Sequence, residues 1–275
     1  MNDRQKGLIY TLLSALCFAT GGILLKVNTW SSLSVSGFRS VFALVVFVVY
    51  MLVKRHPMKL NWQVFLGAIA NTLMMVSFVM ANRLTTAANA IILQFTMPVY
   101  IILLLWIFEK KRPQMSSVVA AGCSLIGICF FFFDSISTTG MVGNILALVS
   151  GLFYAVVFLI KRIPNSDFES SAVLSFAINI IIGIPFVMKE TDFSAVNIWT
   201  GVLLGVVQIG VAYMFLNAAL EKASPIAVAL ASMAEPIVNP VLVAVFYGET
   251  IGGASMIGAV IVLISALAYN LLAKD

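Results

Sequence analysis

The chain has 275 residues, 61% of them hydrophobic and 10% charged, with a formal net charge of +5. Soluble domains carry about 25% charged residues, so the composition excludes an ordinary soluble fold and describes a chain that crosses a membrane repeatedly. The positive residues sit mostly in short joints between apolar runs, as orientation signals do, which excludes nucleic acid as a partner.

Ten apolar segments of about 20 residues follow one another, the length a spanning helix needs. Their limits are 7–26, 34–53, 62–82, 85–106, 114–133, 139–160, 170–188, 197–219, 223–247 and 251–272. The joints carry breakers: Pro57, Pro113, Gly140, Pro164, Gly252 and Gly253. Backbone within lipid is satisfied only in helices or closed barrels, and the alternation of barrel strands is absent. The expected fold is therefore all-α.

Segment 1 is spanning length and lacks a clear cleavage site, so it reads as a span rather than a leader. It presents Ser14, Phe18, Gly21 and Gly22 on one face. Small residues let helices approach closely; an aromatic ring there either packs or lines a cavity and stacks on a substrate. Arg39 falls near the outer end of segment 2, placed to hold a substrate carboxylate, to snorkel to headgroups or to pair with backbone. Segment 3 offers Asn71, Met75 and Phe78.

Segment 4 gathers Ala90, Gln94, Met97 and Ile101 on one face, with Pro98 as a kink. Asn89, Thr96 and Tyr100 form a neighbouring stripe suited to interhelical hydrogen bonds. Segment 6 presents Ser150, Tyr154 and Phe158 as segment 1 presents its serine and aromatic. Segment 8 brings Gln208 and, one turn apart, Tyr213 and Asn217. A tyrosine hydroxyl within lipid needs a partner, and Glu235 is an attractive one.

Segment 9 contains the run ASMAEPIVNP, from Ala231 to Pro240. A charge at the centre of a spanning helix costs about 2.5–3.5 kcal/mol, so Glu235 marks a functional site. Ser232, Glu235 and Asn239 are spaced to share one helical face. Pro236 and Pro240 cannot donate backbone hydrogen bonds and free carbonyls one turn earlier. A carboxylate beside freed carbonyls suits a cation or a proton; the plain alternative is a carboxyl tied to a neighbouring helix. Glu249, at the end of the segment, reads as a cap or interface anchor.

Enzymatic signatures are missing. His56 is the only histidine and sits in a joint; there is no HExxH, Walker loop or paired-aspartate motif. Cys17, Cys123 and Cys129 all fall inside apolar runs, which argues against a disulfide framework or metal pair. No metal or cofactor is called for. Transport, if that is the activity, must run on a gradient or as exchange.

Placing the N-terminus inside puts twelve Lys and Arg residues on the cytoplasmic side and leaves only Lys26, Arg83 and Lys189 outside, with Arg39 within segment 2. Both termini are then cytoplasmic. The halves also match each other. GLIYTLLSALCFATGGILLK from Gly7 aligns without gaps with GNILALVSGLFYAVVFLIKR from Gly143, and Ala81 and Pro98 match Ala219 and Pro236 at another constant offset. Glu235 then stands opposite Met97. Five segments per copy means the second enters the membrane inverted, a transporter signature. The expected units are residues 1–137 and 138–275.

The five-plus-five plan, Arg39 early in segment 2, the Glu235–Pro236 pair and Glu249 resemble the drug/metabolite transporter superfamily, and within it the ten-helix EamA-type members. The resemblance covers essentially the whole chain. Two departures stand out: the first half reads FEKKRP, setting Lys111 opposite Glu249, and Phe18 and Tyr154 stand where a tryptophan is frequent. The resemblance implies a central cavity enclosed by segments 1–4 and 6–9, with segments 5 and 10 peripheral.

The expected function is secondary transport of a small polar metabolite, an amino acid or related zwitterion, across the cytoplasmic membrane by alternating access. Export with proton coupling is the favoured form. Cationic amines or drugs are the alternative substrates, and a lipid flippase or lipid-processing protein is the alternative of another class. The expected substrate or proton site comprises Glu235, Tyr213, Asn239, Ser232, Asn217, Gln94, Phe18, Tyr154, Asn71 and Arg39, with Pro98, Pro236 and Pro240 as kinks. The expected partners are the small-molecule substrate, protons and the lipid bilayer.

Overall fold

A computed structural model describes residues 2–85, 87–110, 112–131, 133, 140–247 and 253–272. Its secondary structure is helical throughout the described residues. In chain order the helices are α1 (Asp3–Val27), α2 (Ser32–Val53), α3 (Trp62–Leu84), α4 (Ala87–Gln94), α5 (Met97–Glu109), α6 (Met115–Phe131) and α7 (Met141–Leu159). They continue with α8 (Phe168–Val187), α9 (Ala195–Leu203), α10 (Ala212–Leu220), α11 (Pro225–Ser232), α12 (Glu235–Tyr247) and α13 (Gly253–Leu272). A π-turn, Leu204–Val211, joins α9 to α10.

Polar residues just before apolar runs start several of these helices. Asn2, Ser31, Asn61, Asp167 and Ser224 each accept a hydrogen bond from a first-turn backbone N–H, meeting donors that would otherwise be orphaned. Among the described residues, seven helical stretches are long and apolar enough to cross a membrane: Asp3–Leu25, Ser32–Val53, Trp62–Asn82, Asn89–Glu109, Met141–Arg162, Phe168–Val187 and Ala195–Leu220. Three shorter apolar helices, Met115–Phe130, Pro225–Val238 and Met256–Tyr269, occupy the positions of segments 5, 9 and 10. The protein is a multi-pass, all-helical membrane protein.

Segments 4 and 9, read from sequence as kinked single helices, are each divided in two. The breaks fall at Phe95–Thr96 and Met233–Ala234, ahead of the prolines. Met233 and Ala234 donate to the carbonyls of Leu230 and Ala231, so the chain tightens into a turn before α12 begins. Pro236 has no N–H for the Ser232 carbonyl, which removes the bond that would have carried α11 onward. Pro98 stands in the first turn of α5, where a missing N–H costs nothing.

The main pairings run between the two halves of the chain: α2 lies along α8, α3 along α7, α6 along α13 and α1 along α10. Lipid is as apolar as leucine, so burial alone does not drive such pairing and close approach must. The α2–α8 crossing shows the means. A Cβ on Gly37 would stand 2.6 Å from Gly183 Cα, so the two backbones touch directly.

Polar networks tie the helix ends. At the end carrying residues 28–31 and 188–194, Ser31 N and Ser34 Oγ donate to Glu190 at 2.8 and 2.6 Å, and Trp30 Nε1 donates to the Asp192 carbonyl at 2.6 Å. At the opposite end Lys161 pairs with Glu221 at 3.0 Å, Arg162 with Glu109 at 3.3 Å and Lys222 with Asp3 at 3.3 Å.

Candidate functional site

Between these ends lies a cavity of about 340 Å³, at the lower edge of the range for small-molecule sites. Phe18, Met74, Met75, Phe78, Ile91 and Phe95 give it apolar walls. Into it face Arg39 from α2, Gln94 from α4, Tyr154 from α7, Gln208 from the π-turn, Tyr213 from α10 and Glu235 from α12. The lining reaches Leu25, Ser32 and Asn82 toward the end that carries residues 28–31.

Glu235 opens α12, where the helix dipole favours an acidic side chain. Its Oε2 is buried with no hydrogen-bond partner among the described residues. Arg39 is buried, with 8% of its surface exposed. Its Nη1 donates to Gln208 Oε1 at 2.9 Å, while its Nε is buried without a hydrogen-bond partner among the described residues. Buried polar atoms are nearly always satisfied, so each of these unmet groups needs a reason. Two side chains of opposite sign, both incompletely satisfied and both lining one cavity, form a bipolar site.

An aromatic floor supports it. The Tyr213 ring meets Phe18 edge-on at 5.8 Å, Phe176 at 5.4 Å and Phe168 at 5.9 Å between centroids. Tyr154 packs edge-on against Phe158 at 5.0 Å and Phe95 at 6.4 Å. Phe18 and Tyr154 thus pack and line the cavity at once.

Several expectations need correction. Tyr213 does not pair with Glu235; its hydroxyl donates to Asn71 Oδ1 at 2.7 Å, and Asn71 is buried behind it. Ser232 and Glu235 do not form one polar wall of the cavity: Glu235 lines it, and Ser232, ahead of the break at Met233–Ala234, does not. Ser232 is buried and away from the cavity lining. Asn217 also lies outside it: one turn beyond Tyr213, it donates to Glu169 Oε1 at 2.7 Å and to the Tyr50 hydroxyl at 3.2 Å. Arg39 does not snorkel: its side chain is buried, lines the cavity and donates to Gln208 of the π-turn.

Gln94 lines the cavity and is also interhelical glue, its Nε2 donating to Ser150 Oγ at 2.8 Å. Asn89 serves as glue, donating to Asn144 Oδ1 at 3.2 Å. The side chains of Asn239, Pro240 and Lys26, together with Lys111 and Glu249, lie outside the described residues.

Gln208 also lines the cavity, although from sequence it is only a polar residue of segment 8 outside the expected site. In a regular α-helix, residues five apart point about 140° away from each other, so Gln208 and Tyr213 read as belonging to different faces. The i→i+5 bonding of a π-turn stacks them, and both line the cavity. No sequence signal specifies that turn.

A larger pocket of about 560 Å³ opens at the opposite end, lined by Arg4, Lys161, Arg162, Glu221, Lys222 and Ser224 among others. Its lysines and Arg162 already hold carboxylates, so the enclosed bipolar cavity is the better candidate.

A model of the EamA-like transporter family matches residues 5–133 and 141–271. Similar curated proteins include an uncharacterized transporter of Archaeoglobus fulgidus, 25% identical over 73% of both chains, and the uncharacterized transporter YwfM of Bacillus subtilis, 24% identical over 97% of this chain and 95% of that one. Human solute carrier family 35 member G1 is 26% identical over 74% of this chain and 53% of its own. One solved crystal structure superposes with a TM-score of 0.85 over 99% of both chains at 16% identity, a likeness of fold.

Proposed function

Because the chain belongs to the EamA-like transporter family of the drug/metabolite transporter superfamily, we propose that it is a secondary transporter of a small zwitterion of the amino-acid class, held between Arg39 and Glu235. One observation carries this reading. The same cavity is lined by a guanidinium and a carboxylate, each with a buried atom that lacks a hydrogen-bond partner among the described residues. A ligand bearing both a carboxylate and an amine would satisfy both, and charged groups removed from water gain most from such pairing.

The proposed frame is ten spanning helices in two inverted five-helix units, residues 1–137 and 138–275. The interhelical pairings support it. Exchanging the halves carries α3–α7 onto α10–α1, α4–α7 onto α11–α1 and α5–α7 onto α12–α1, and leaves α2–α8 and α6–α13 unchanged. The breaks at Phe95–Thr96 and Met233–Ala234 keep the offset of the Pro98/Pro236 match, which also supports it. Interrupted helices beside a midplane site suit transporters of this plan.

The distribution of Lys and Arg supports a cytoplasmic-membrane protein with both termini and the Lys161–Glu221 end in the cytoplasm. The cavity then reaches toward the outer face, as an exporter's releasing state requires. With no nucleotide-binding motif, a gradient supplies the energy. Glu235 binds either a proton or the substrate amine, so the two exclude each other and the cycle is antiport. Asn71, behind Tyr213, orients its hydroxyl within the site.

The test is flux in proteoliposomes with an imposed pH gradient, using the twenty standard amino acids, their decarboxylated amines and their deaminated acids. Wild-type protein should move amino acids, and Glu235→Gln should lose pH dependence and about tenfold or more of the flux, the scale of one charge-assisted bond. Unchanged flux with unchanged pH dependence in Glu235→Gln would remove the coupling role. The aromatic walls favour one second reading, a cationic amine lying against Phe18 and Tyr154. In that case the amines move, the amino acids do not, and Arg39 is dispensable.

A further inference from the structure

We infer that Gln208 is a positioning residue of the site: it holds the Arg39 guanidinium in the cavity, and the π-turn Leu204–Val211 serves to place it there. The inference rests on the reading that Arg39 meets a substrate carboxylate.

The π-turn grips Arg39 twice. At its start Gly205 packs on the Arg39 backbone; a Cβ there would stand 2.3 Å from the Arg39 carbonyl oxygen. Further along, Gln208 Oε1 accepts from Arg39 Nη1 at 2.9 Å. On the other side α1 leaves room for the amide. A Cβ on Gly21 would stand 2.9 Å from Gln208 Nε2 and 3.2 Å from its Cδ, so a side chain at position 21 displaces Gln208.

The chemistry of an amide fits the task. Arg39 has five N–H donors, and Gln208 occupies one of them without cancelling the positive charge. A carboxylate in its place would pair with the guanidinium bidentately and compete with the substrate. A small apolar residue would leave a long side chain free to leave its geometry. Gln208 therefore sets the direction of Arg39 and preserves its charge.

The test compares Gln208→Ala, Gln208→Glu and Gly21→Ala with wild type, each checked for a single species by gel filtration. The first readout needs no substrate: the rate at which phenylglyoxal modifies Arg39 in the purified protein, followed on the Arg39 peptide by mass spectrometry. Gln208→Ala and Gly21→Ala should be modified faster than wild type and Gln208→Glu slower, with about tenfold between the extremes, the scale of a hydrogen bond to a charged group. Rates within about twofold of one another would overturn the inference, twofold being less than half a kcal/mol.

The second readout is flux of a mixture of the twenty amino acids against a mixture of their decarboxylated amines. The ratio of amino-acid to amine flux should fall about tenfold in Gln208→Glu and in Gln208→Ala, since only the carboxylate contact is lost. A merely structural role would lower both fluxes alike and leave the ratio unchanged, which overturns the inference. The two readings fail separately. If the modification rates follow the expected order while wild-type protein moves no amino acid, the substrate class is wrong and the positioning of Arg39 stands.

Discussion

At the scale of single residues, charge and its partners decide what each group does. Glu235 and Arg39 are the costly side chains of the cavity, and each keeps one buried atom without a hydrogen-bond partner among the described residues. Asp167 shows the contrast. It caps α8, accepting from Ser170 N at 2.9 Å and Ser170 Oγ at 2.6 Å, and faces His56 Nε2 at 2.9 Å and Lys59 Nζ at 3.6 Å. Burial pushes its carboxyl up, but the Ser170 and His56 hydrogen bonds outweigh that and hold it below the usual range. A carboxyl depressed in the folded state stabilises fully above its unfolded value of about 3.9, and that stability is lost as pH falls through the folded value. Thermal melts in detergent should therefore show wild type losing stability on acidification below about pH 4. Asp167→Asn should melt lower at neutral pH, by about 1–2 kcal/mol, and lack that acid-dependent step. An Asn variant with the wild-type profile would assign the acid loss to other groups.

At the scale of elements, the departures from regular helix build the site. The break before α12 puts Glu235 at a helix start instead of mid-helix, and the π-turn puts Gln208 and Tyr213 into one cavity. Both depend on helices held at fixed distances by small residues. Gly37 is one such residue, the space beside it filled by the backbone of Gly183. Gly37→Val should separate α2 from α8 and lower stability by about 1–3 kcal/mol, read as a drop in melting temperature in detergent. Because α2 carries Arg39, flux should fall with it. A stable Gly37→Val protein would mean that the crossing yields more easily than the contact distance implies.

At the scale of the whole molecule, the two ends differ. Ion pairs from α1, α5 and the turns after α7 and α10 close the end assigned to the cytoplasm, while the cavity reaches toward Leu25, Ser32 and Asn82. The expected consequence is one-sided access. With Cys17, Cys123 and Cys129 replaced by serine, a cysteine at Asn82 should react with an impermeant maleimide added outside intact cells and be slowed by bound substrate. Labelling only after the membrane is opened would invert the orientation or the state. Replacing Glu221 by Gln frees Lys161 from its 3.0 Å partner and should shift the population toward opening at that end, seen as slower labelling at Asn82. Equal labelling rates would show that these pairs do not bias the equilibrium.

The all-helical membrane class, and the presence of the ionisable Glu235 and Arg39 within apolar segments, were legible in the sequence, because each follows from local chemistry. An apolar run of spanning length must be helical in lipid, and an ionisable residue inside one carries a cost that position alone reveals. Partnerships were not legible. That Tyr213 bonds Asn71, that Asn217 bonds Glu169, and that Gln208 holds Arg39 depends on which helices neighbour one another and how they are rotated. Side-chain period gives the faces of an unbroken helix only. One turn of i→i+5 bonding rotates everything beyond it, and the break between Ser232 and Glu235 interrupts the regular period on which the sequence reading of that segment relied. The sequence by itself determined where the charges lie along the chain. The tertiary structure decided which of them meet, because the packing of backbone against backbone, as at Gly37 and Gly205, sets the rotation of each helix and no local rule encodes it.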